Sequence, residues 1–115
     1  MGDNMYIELG NKVKKLRLKN KVTQQELANA LKVSRVQISN IENGRRGMNL
    51  KQLNTLCNFF RIDLSYFVSE DIPNAGEKLI SQANAIFNND NITNDVKDSI
   101  FESILNIYMN SKENK

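Results

Sequence analysis

One helix-start pattern occurs three times in the first half of the sequence, and it constrains the fold more than any other feature. Each copy has a small polar residue that can cap a helix, followed three positions later by an acidic or amide side chain that can return the hydrogen bond. The copies begin at Thr23, Ser34 and Asn49. Helix starts this close together leave room only for short helices and short connections, which predicts a compact all-α domain.

Residues 22–46, VTQQELANALKVSRVQISNIENGRR, predict two short helices joined by a sharp turn. Apolar residues recur at helical spacing on one face of each helix: Leu27, Ala28 and Leu31 on the first, Ile38 and Ile41 on the second. Only Lys32 and Val33 separate the first helix from the second cap, which is the spacing of a helix-turn-helix unit. Ala28 is small enough to let the two helices cross closely.

The remaining apolar periodicity predicts a five-helix domain followed by a helical hairpin. The expected organisation is a lead-in over residues 1–8, the helical domain over 9–69, a linker around Pro73 over 70–76, and the hairpin over 77–112. The second hairpin helix, which Thr93 can cap, carries an apolar face too broad for a lone hairpin in water. That face must cover the domain or pair with another chain, and we favour a homodimer. The side chains expected at the dimer contact are Phe101, Ile104, Leu105 and Tyr108.

Several functional classes lack support in the composition. Histidine is absent and Cys57 is the single cysteine, so the usual zinc sites cannot form within one chain, and we expect no metal or cofactor. No phosphate-binding glycine loop or nucleophile motif occurs, so we expect no enzyme; a paired-carboxylate enzyme remains a weak alternative. Without a long apolar run or signal-peptide pattern, the expected location is cytoplasmic and away from membranes.

The charge is unevenly distributed. Residues 1–72 contain 12 basic and 7 acidic side chains, whereas residues 73–115 contain 4 basic and 6 acidic ones. A basic surface confined to one domain is typical of proteins that bind phosphate backbones, although it can also serve solubility alone.

The chain resembles the lambda-repressor-like or Cro-like helix-turn-helix regulators, also called the Xre family, over residues 9–67. The residues that carry the resemblance are Thr23, Gln24, Glu26, Leu27, Ala28, Leu31, Val33, Ser34, Ile38, Ile41, Glu42, Asn43, Gly44 and Arg45. Lys32 departs from the pattern, because the family often has a glycine with positive φ at this position. A non-glycine residue there costs on the order of 1 kcal/mol, which the turn can tolerate.

The resemblance implies a DNA-binding surface centred on the second helix of the unit. The residues expected to face the bases are Arg35, Val36, Gln37, Ser39 and Asn40, although Gln37 can instead act as a capping partner. Those expected to hold the DNA phosphates are Gln24, Ser34, Asn43, Arg45 and Arg46. A buried ion pair between Arg17 and Glu42 is also implied.

The function implied by the resemblance is a transcriptional regulator of double-stranded DNA. We expect a repressor that binds a palindromic operator as a homodimer through the major groove. The alternative is an antitoxin-like or other protein-interaction module, whose C-terminal helices bind an unrelated protein.

Overall fold

The structure, a computed structural model, describes residues 4–68 and 72–109. These residues form six α-helices and one 3-10 turn without any strand, which confirms the predicted all-α class. The elements are α1 (Asn4–Lys19), α2 (Gln24–Leu31), α3 (Arg35–Glu42), α4 (Leu50–Phe60), the 3-10 turn (Leu64–Phe67), α5 (Ala75–Phe87) and α6 (Asn94–Met109). The first four helices and the 3-10 turn form the five-helix domain, and α5 and α6 form the hairpin.

The helix starts follow the capping pattern closely. The Thr23 hydroxyl accepts from the Glu26 amide at 3.0 Å, and the Glu26 carboxylate accepts from the Thr23 amide at 2.8 Å. Asn49 forms the same reciprocal pair at the start of α4. Ser34 accepts from the amide of Gln37 at 3.0 Å, but the return bond predicted from the Gln37 side chain is absent among the described residues. Gln37 therefore does not act as the reciprocal capping partner in this structure.

One hydrophobic core runs through the domain and continues under the hairpin. Each of the six described helices and the 3-10 turn contributes side chains that are almost completely buried: Leu9, Val13, Leu27, Ile38, Ile41, Leu53, Leu56, Phe67, Leu79, Phe101 and Leu105. Phe67 of the 3-10 turn and Phe101 of α6 both have no exposed surface. The hairpin is therefore packed on the same core as the domain.

Gly10 allows α1 and α3 to cross at close range. A Cβ atom at this position would lie 2.2 Å from the carbonyl oxygen of Ile41 and 2.8 Å from that of Glu42. Any side chain would overlap the backbone of α3, so the crossing depends on glycine.

Helix α1 starts earlier than the sequence suggested, so the prediction of a loose lead-in is wrong for residues 4–8. Met5 is buried in the core, and Tyr6 packs against it. The physical reason is that the first turns of α1 have a partner, the loop after α3, where Gly44 faces Ile7 and Gly47 faces Tyr6. Residues 1–3 of the predicted lead-in lie outside the described part.

The linker is also shorter than expected, because α5 begins at Ala75 instead of near residue 77. Ala75 is buried, and Gly76 lies so close to the 3-10 turn that a Cβ atom would be 2.5 Å from Cβ of Ser65. Residues 69–71, at the junction between the predicted domain and linker, lie outside the described part.

The hairpin uses its broad apolar face inside the chain, which corrects the predicted dimer contact. Phe101, Leu105 and Tyr108 are buried, and Ile104 is half-buried against the core. The Tyr108 hydroxyl donates to Oε1 of Gln82 on α5 at 3.1 Å, and α6 packs on α1 and α4 as well as on α5. Of the two outcomes open for this face, covering the domain or pairing with another chain, the structure shows the first. The large apolar side chains still exposed on the hairpin are Phe87, Val96, Ile100 and Ile107.

Candidate nucleic-acid interface

The turn between α2 and α3 has the predicted sharp geometry. Lys32 adopts the left-handed conformation with φ of 61°, and its amide donates to the carbonyls of Ala28 and Asn29. The amide of Val33 also donates to the Ala28 carbonyl, at 3.0 Å. Ala28 itself has no exposed surface, and α2 packs on both α3 and α4. Lysine therefore occupies the position where glycine would be unstrained.

Helix α3 is buried on one side and open on the other. Ile38 and Ile41 are directed into the core. Arg35 is exposed, and 58% of the Val36 surface is accessible. The other three predicted base-facing residues, Gln37, Ser39 and Asn40, are half-buried. The N-terminal half of α3 thus presents a mixed polar and apolar surface of the kind that can enter a DNA groove.

Exposed polar and basic residues flank this open side of α3. Ser34 precedes the helix, and Asn43, Arg45 and Arg46 follow it; all four are exposed. The chain leaves α3 through Gly44, whose φ of +78° permits the reversal. The structure therefore brings most of the predicted phosphate-binding residues next to the predicted base-facing ones.

The side chain of Gln24 makes two hydrogen bonds within the protein. Its Nε2 donates to Oε1 of Glu42 at 3.1 Å, and its Oε1 accepts from Arg35 at 3.2 Å. Gln24 therefore connects the buried interior to the exposed Arg35. Its contribution to phosphate binding would come from its backbone amide, which belongs to the first turn of α2, where such amides lack intrahelical partners.

The predicted ion pair between Arg17 and Glu42 is formed and buried. Nε of Arg17 donates to Oε2 of Glu42 at 2.6 Å, and a second bond joins the guanidinium to Oε1 at 3.0 Å. The remaining guanidinium nitrogen donates to the carbonyl of Val22 at 2.9 Å. The exposed fractions are only 8% for Arg17 and 5% for Glu42. The pair joins α1 to α3 and, through Gln24, connects to Arg35 on the open side of α3.

Two roles in this arrangement, those of Gly10 and of the Gln24 side chain, were not predicted from the sequence. Gly10 permits the crossing of α1 over α3, and Gln24 bridges Glu42 and Arg35. Neither gives a periodic signal, because each role depends on backbone or side chains from helices distant in the chain.

The rest of the described chain offers little reactive chemistry. Burial, together with the negative charge of Asp63, raises the pKa of the Cys57 thiol to about 12, so the thiol stays protonated and a poor nucleophile. Residues 4–68 and 72–109 contain no group of three or more acidic or cysteine side chains placed to hold a metal ion. No helix within those ranges has both the length and the apolar character needed to cross a membrane.

Comparison with known proteins also indicates a helix-turn-helix domain in the first half of the chain. The family model of a helix-turn-helix domain matches residues 10–70. Two crystal structures of the clp gene regulator ClgR from Corynebacterium glutamicum are similar, each with 28% identity over 53% of this chain and a TM-score of 0.51. The match covers 78% of the ClgR chain in one structure and 65% in the other. No curated protein sequence matches the chain.

The matched region contains α1 from Gly10 onward, α2 to α4 and the 3-10 turn. These elements build the turn, the buried ion pair and the open side of α3. The family match spans more than half of the sequence, and it agrees with the resemblance carried by the residues around the turn. The chain belongs to the helix-turn-helix domain family, among its lambda-repressor-like, or Xre-like, members.

Proposed function

We propose that this protein is a sequence-specific DNA-binding transcriptional regulator that inserts α3 into the major groove. The observation that carries the proposal is the open side of α3, where Arg35 and Val36 are exposed beside a basic loop. In helix-turn-helix proteins the second helix of the unit enters the groove with its N-terminal residues toward the base edges. The neighbouring exposed arginines match the negative charge of the DNA backbone.

The base-facing residues have chemistry that suits sequence reading. Arg35 can donate two hydrogen bonds to O6 and N7 of a guanine, and Asn40 can pair with N6 and N7 of an adenine. Val36 can contact a thymine methyl group. Gln24 holds the Arg35 guanidinium from the α2 side, which reduces the freedom that Arg35 loses when it binds a base.

The flanking residues would position the protein without reading the sequence. Arg45 and Arg46 are charged partners for phosphates on one side of α3, while the first amides of α2 and the Ser34 hydroxyl are available on the other. Contacts of this kind fix the register of the recognition helix on the duplex.

We further propose that the protein is a cytoplasmic repressor and that it binds a palindromic operator as a homodimer. One recognition helix covers only a few base pairs, so useful specificity needs two half-sites, about 34 Å apart, and a protein with two-fold symmetry. The exposed side chains Val96, Ile100 and Ile107 lie on one helix, α6, and supply the candidate dimer contact in place of the buried residues. The 28% identity to a protein described as a gene regulator supports the regulatory role.

Arg35→Ala and Arg45→Ala are expected to weaken DNA binding in different ways. Loss of Arg35 should cost about 1–3 kcal/mol on the cognate duplex and relax the preference at one base pair, because it removes a base contact. Loss of Arg45 should weaken binding to cognate and scrambled duplexes alike. It should also reduce the slope of log affinity against log salt concentration by about the contribution of one phosphate contact. Fluorescence anisotropy at several salt concentrations measures both effects.

Lys15→Ala is the matched control, because it removes an exposed positive charge from α1, a helix not assigned to the DNA contact. It should change binding less than either arginine variant. Equal losses on cognate and scrambled DNA for both arginine variants would contradict the separation into base-reading and phosphate-binding residues.

The proposed dimer contact predicts that Ile107→Glu shifts the protein from dimer to monomer. A charge within the apolar contact must be desolvated, so the dissociation constant of the dimer should rise by at least tenfold. Sedimentation equilibrium measures the change, and Leu18→Glu is the control, since Leu18 is exposed on α1 instead.

A wild-type protein that is monomeric at all concentrations would contradict the homodimer. A stoichiometric second protein that co-purifies from the host and is lost in Ile107→Glu would support the interaction-module alternative instead.

A further inference from the structure

The basic loop after α3 is bounded by two glycines, and each lies against a different residue at the start of α1. A Cβ atom on Gly44 would be 2.7 Å from Cγ1 of Ile7 and 3.0 Å from its Cα. A Cβ atom on Gly47 would be 2.6 Å from Cε1 of the Tyr6 ring. Both ends of the loop are thus in direct contact with consecutive residues of α1.

These contacts fix the loop backbone tightly. Gly44 has a φ of +78°, so a residue with a side chain would be strained there even without the neighbouring Ile7. The amide of Arg45 donates to the carbonyl of Asn40 at 2.9 Å, and Met48, just after Gly47, is buried in the core. The loop therefore has anchored ends and two exposed arginines, Arg45 and Arg46, between them.

We infer that the first turns of α1 form a platform that positions the phosphate-binding loop, so Tyr6 and Ile7 are positioning residues for DNA binding. The inference rests on the proposed function and adds residues to it that lie before the matched family region. A loop that is already ordered loses less conformational entropy on binding, so the platform strengthens the contact of both arginines with the DNA backbone. Neither Tyr6 nor Ile7 has to touch DNA.

The need for a platform also explains why α1 begins as early as Asn4. Ile7 is 49% exposed, so the core gains little from it, yet its Cγ1 lies directly beneath Gly44. Removing this side chain should therefore affect the loop more than the stability of the domain.

The experiment compares DNA binding by Ile7→Ala and Gly47→Ala with that of wild type. Loosening or displacing the loop should lower affinity roughly threefold to tenfold on cognate and scrambled duplexes alike, with the base preferences unchanged. Leu18→Ala is the control, because Leu18 is 56% exposed on the same helix, roughly 16 Å farther along it. It should bind like wild type. Circular dichroism checks that each variant is folded at the assay temperature. If Gly47→Ala is unfolded, Ile7→Ala alone provides the test.

A double-mutant cycle separates positioning from a general structural role. In a background that lacks both arginines, Arg45→Ala/Arg46→Ala, the addition of Ile7→Ala should have no further effect on affinity, because the platform acts through those side chains. The slope of log affinity against log salt should also fall for Ile7→Ala alone.

Three results would overturn the inference, and they also separate it from the proposed function. If Ile7→Ala and Gly47→Ala both bind DNA with wild-type affinity, the platform is refuted, whereas the proposed arginine contacts are unaffected. The same loss in the arginine-free background would show a structural effect unrelated to the loop. Wild-type affinity for Arg45→Ala/Arg46→Ala would refute the phosphate contacts themselves, and the platform with them.

Discussion

Arg17→Ala is expected to lower the free energy of unfolding by about 3–5 kcal/mol, because it leaves the buried carboxylate of Glu42 without its charged partner. The guanidinium supplies two hydrogen bonds to that carboxylate and a third to the Val22 carbonyl. After its removal, the side-chain amide of Gln24 would be the one remaining donor to the Glu42 carboxylate among the described residues. Urea unfolding followed by circular dichroism measures the loss as a lower transition midpoint.

Two controls show whether the loss comes from the unpaired charge. Lys15→Ala removes an exposed basic side chain from the same helix and should change stability by less than about 0.5 kcal/mol. Arg17→Met/Glu42→Leu replaces both partners by apolar side chains and should recover most of the stability, since no buried charge remains. A double variant as unstable as Arg17→Ala would contradict this explanation, and so would a single variant as stable as wild type.

Gly10→Ala is expected to destabilise the domain by about 2–3 kcal/mol, although alanine is normally the better helix former. The added methyl group would lie 2.2 Å from the carbonyl oxygen of Ile41. Since that atom belongs to the backbone of α3, rotation of a side chain cannot relieve the overlap, and the two helices must move apart. The movement would also stretch the bonds between Arg17 and Glu42. Thermal and urea unfolding both measure the effect.

Asn11→Ala is the matched control for Gly10→Ala, because it makes an alanine at the next position of α1, where the side chain is exposed. Helix propensity alone should make this variant neutral or slightly more stable. If Gly10→Ala also proved neutral or stabilising, the close crossing of α1 and α3 would be wrong.

The local structure around the turn was largely predictable from the sequence. Caps, short apolar periods and a two-residue connection are determined by neighbours in the chain, so the caps at Thr23 and Asn49 occur as expected. The left-handed conformation of Lys32 was implied by the family resemblance. The ion pair of Arg17 with Glu42 was predicted through the family resemblance, not from periodicity. The placement of Arg35 and Val36 on an exposed surface follows from the burial of Ile38 and Ile41 on the opposite side of α3.

Features that depend on contacts between distant segments could not be predicted in the same way. Periodicity identifies the apolar face of α6 but not its partner, so Phe101 and Leu105 were assigned to a second chain although they cover the domain. The start of α1 was missed because Tyr6 and Ile7 acquire their role only from Gly44 and Gly47. The bridging position of Gln24 likewise requires three helices to be placed first.

Selection of bound duplexes from a random DNA pool, with wild-type protein and with Arg35→Ala, tests the proposed insertion of α3 most directly. We predict that wild type enriches a two-fold symmetric motif with half-sites about 34 Å apart, and that Arg35→Ala loses the preference at one base pair in each half-site. Enrichment of no sequence by wild type, or of an identical motif by both proteins, would contradict the account.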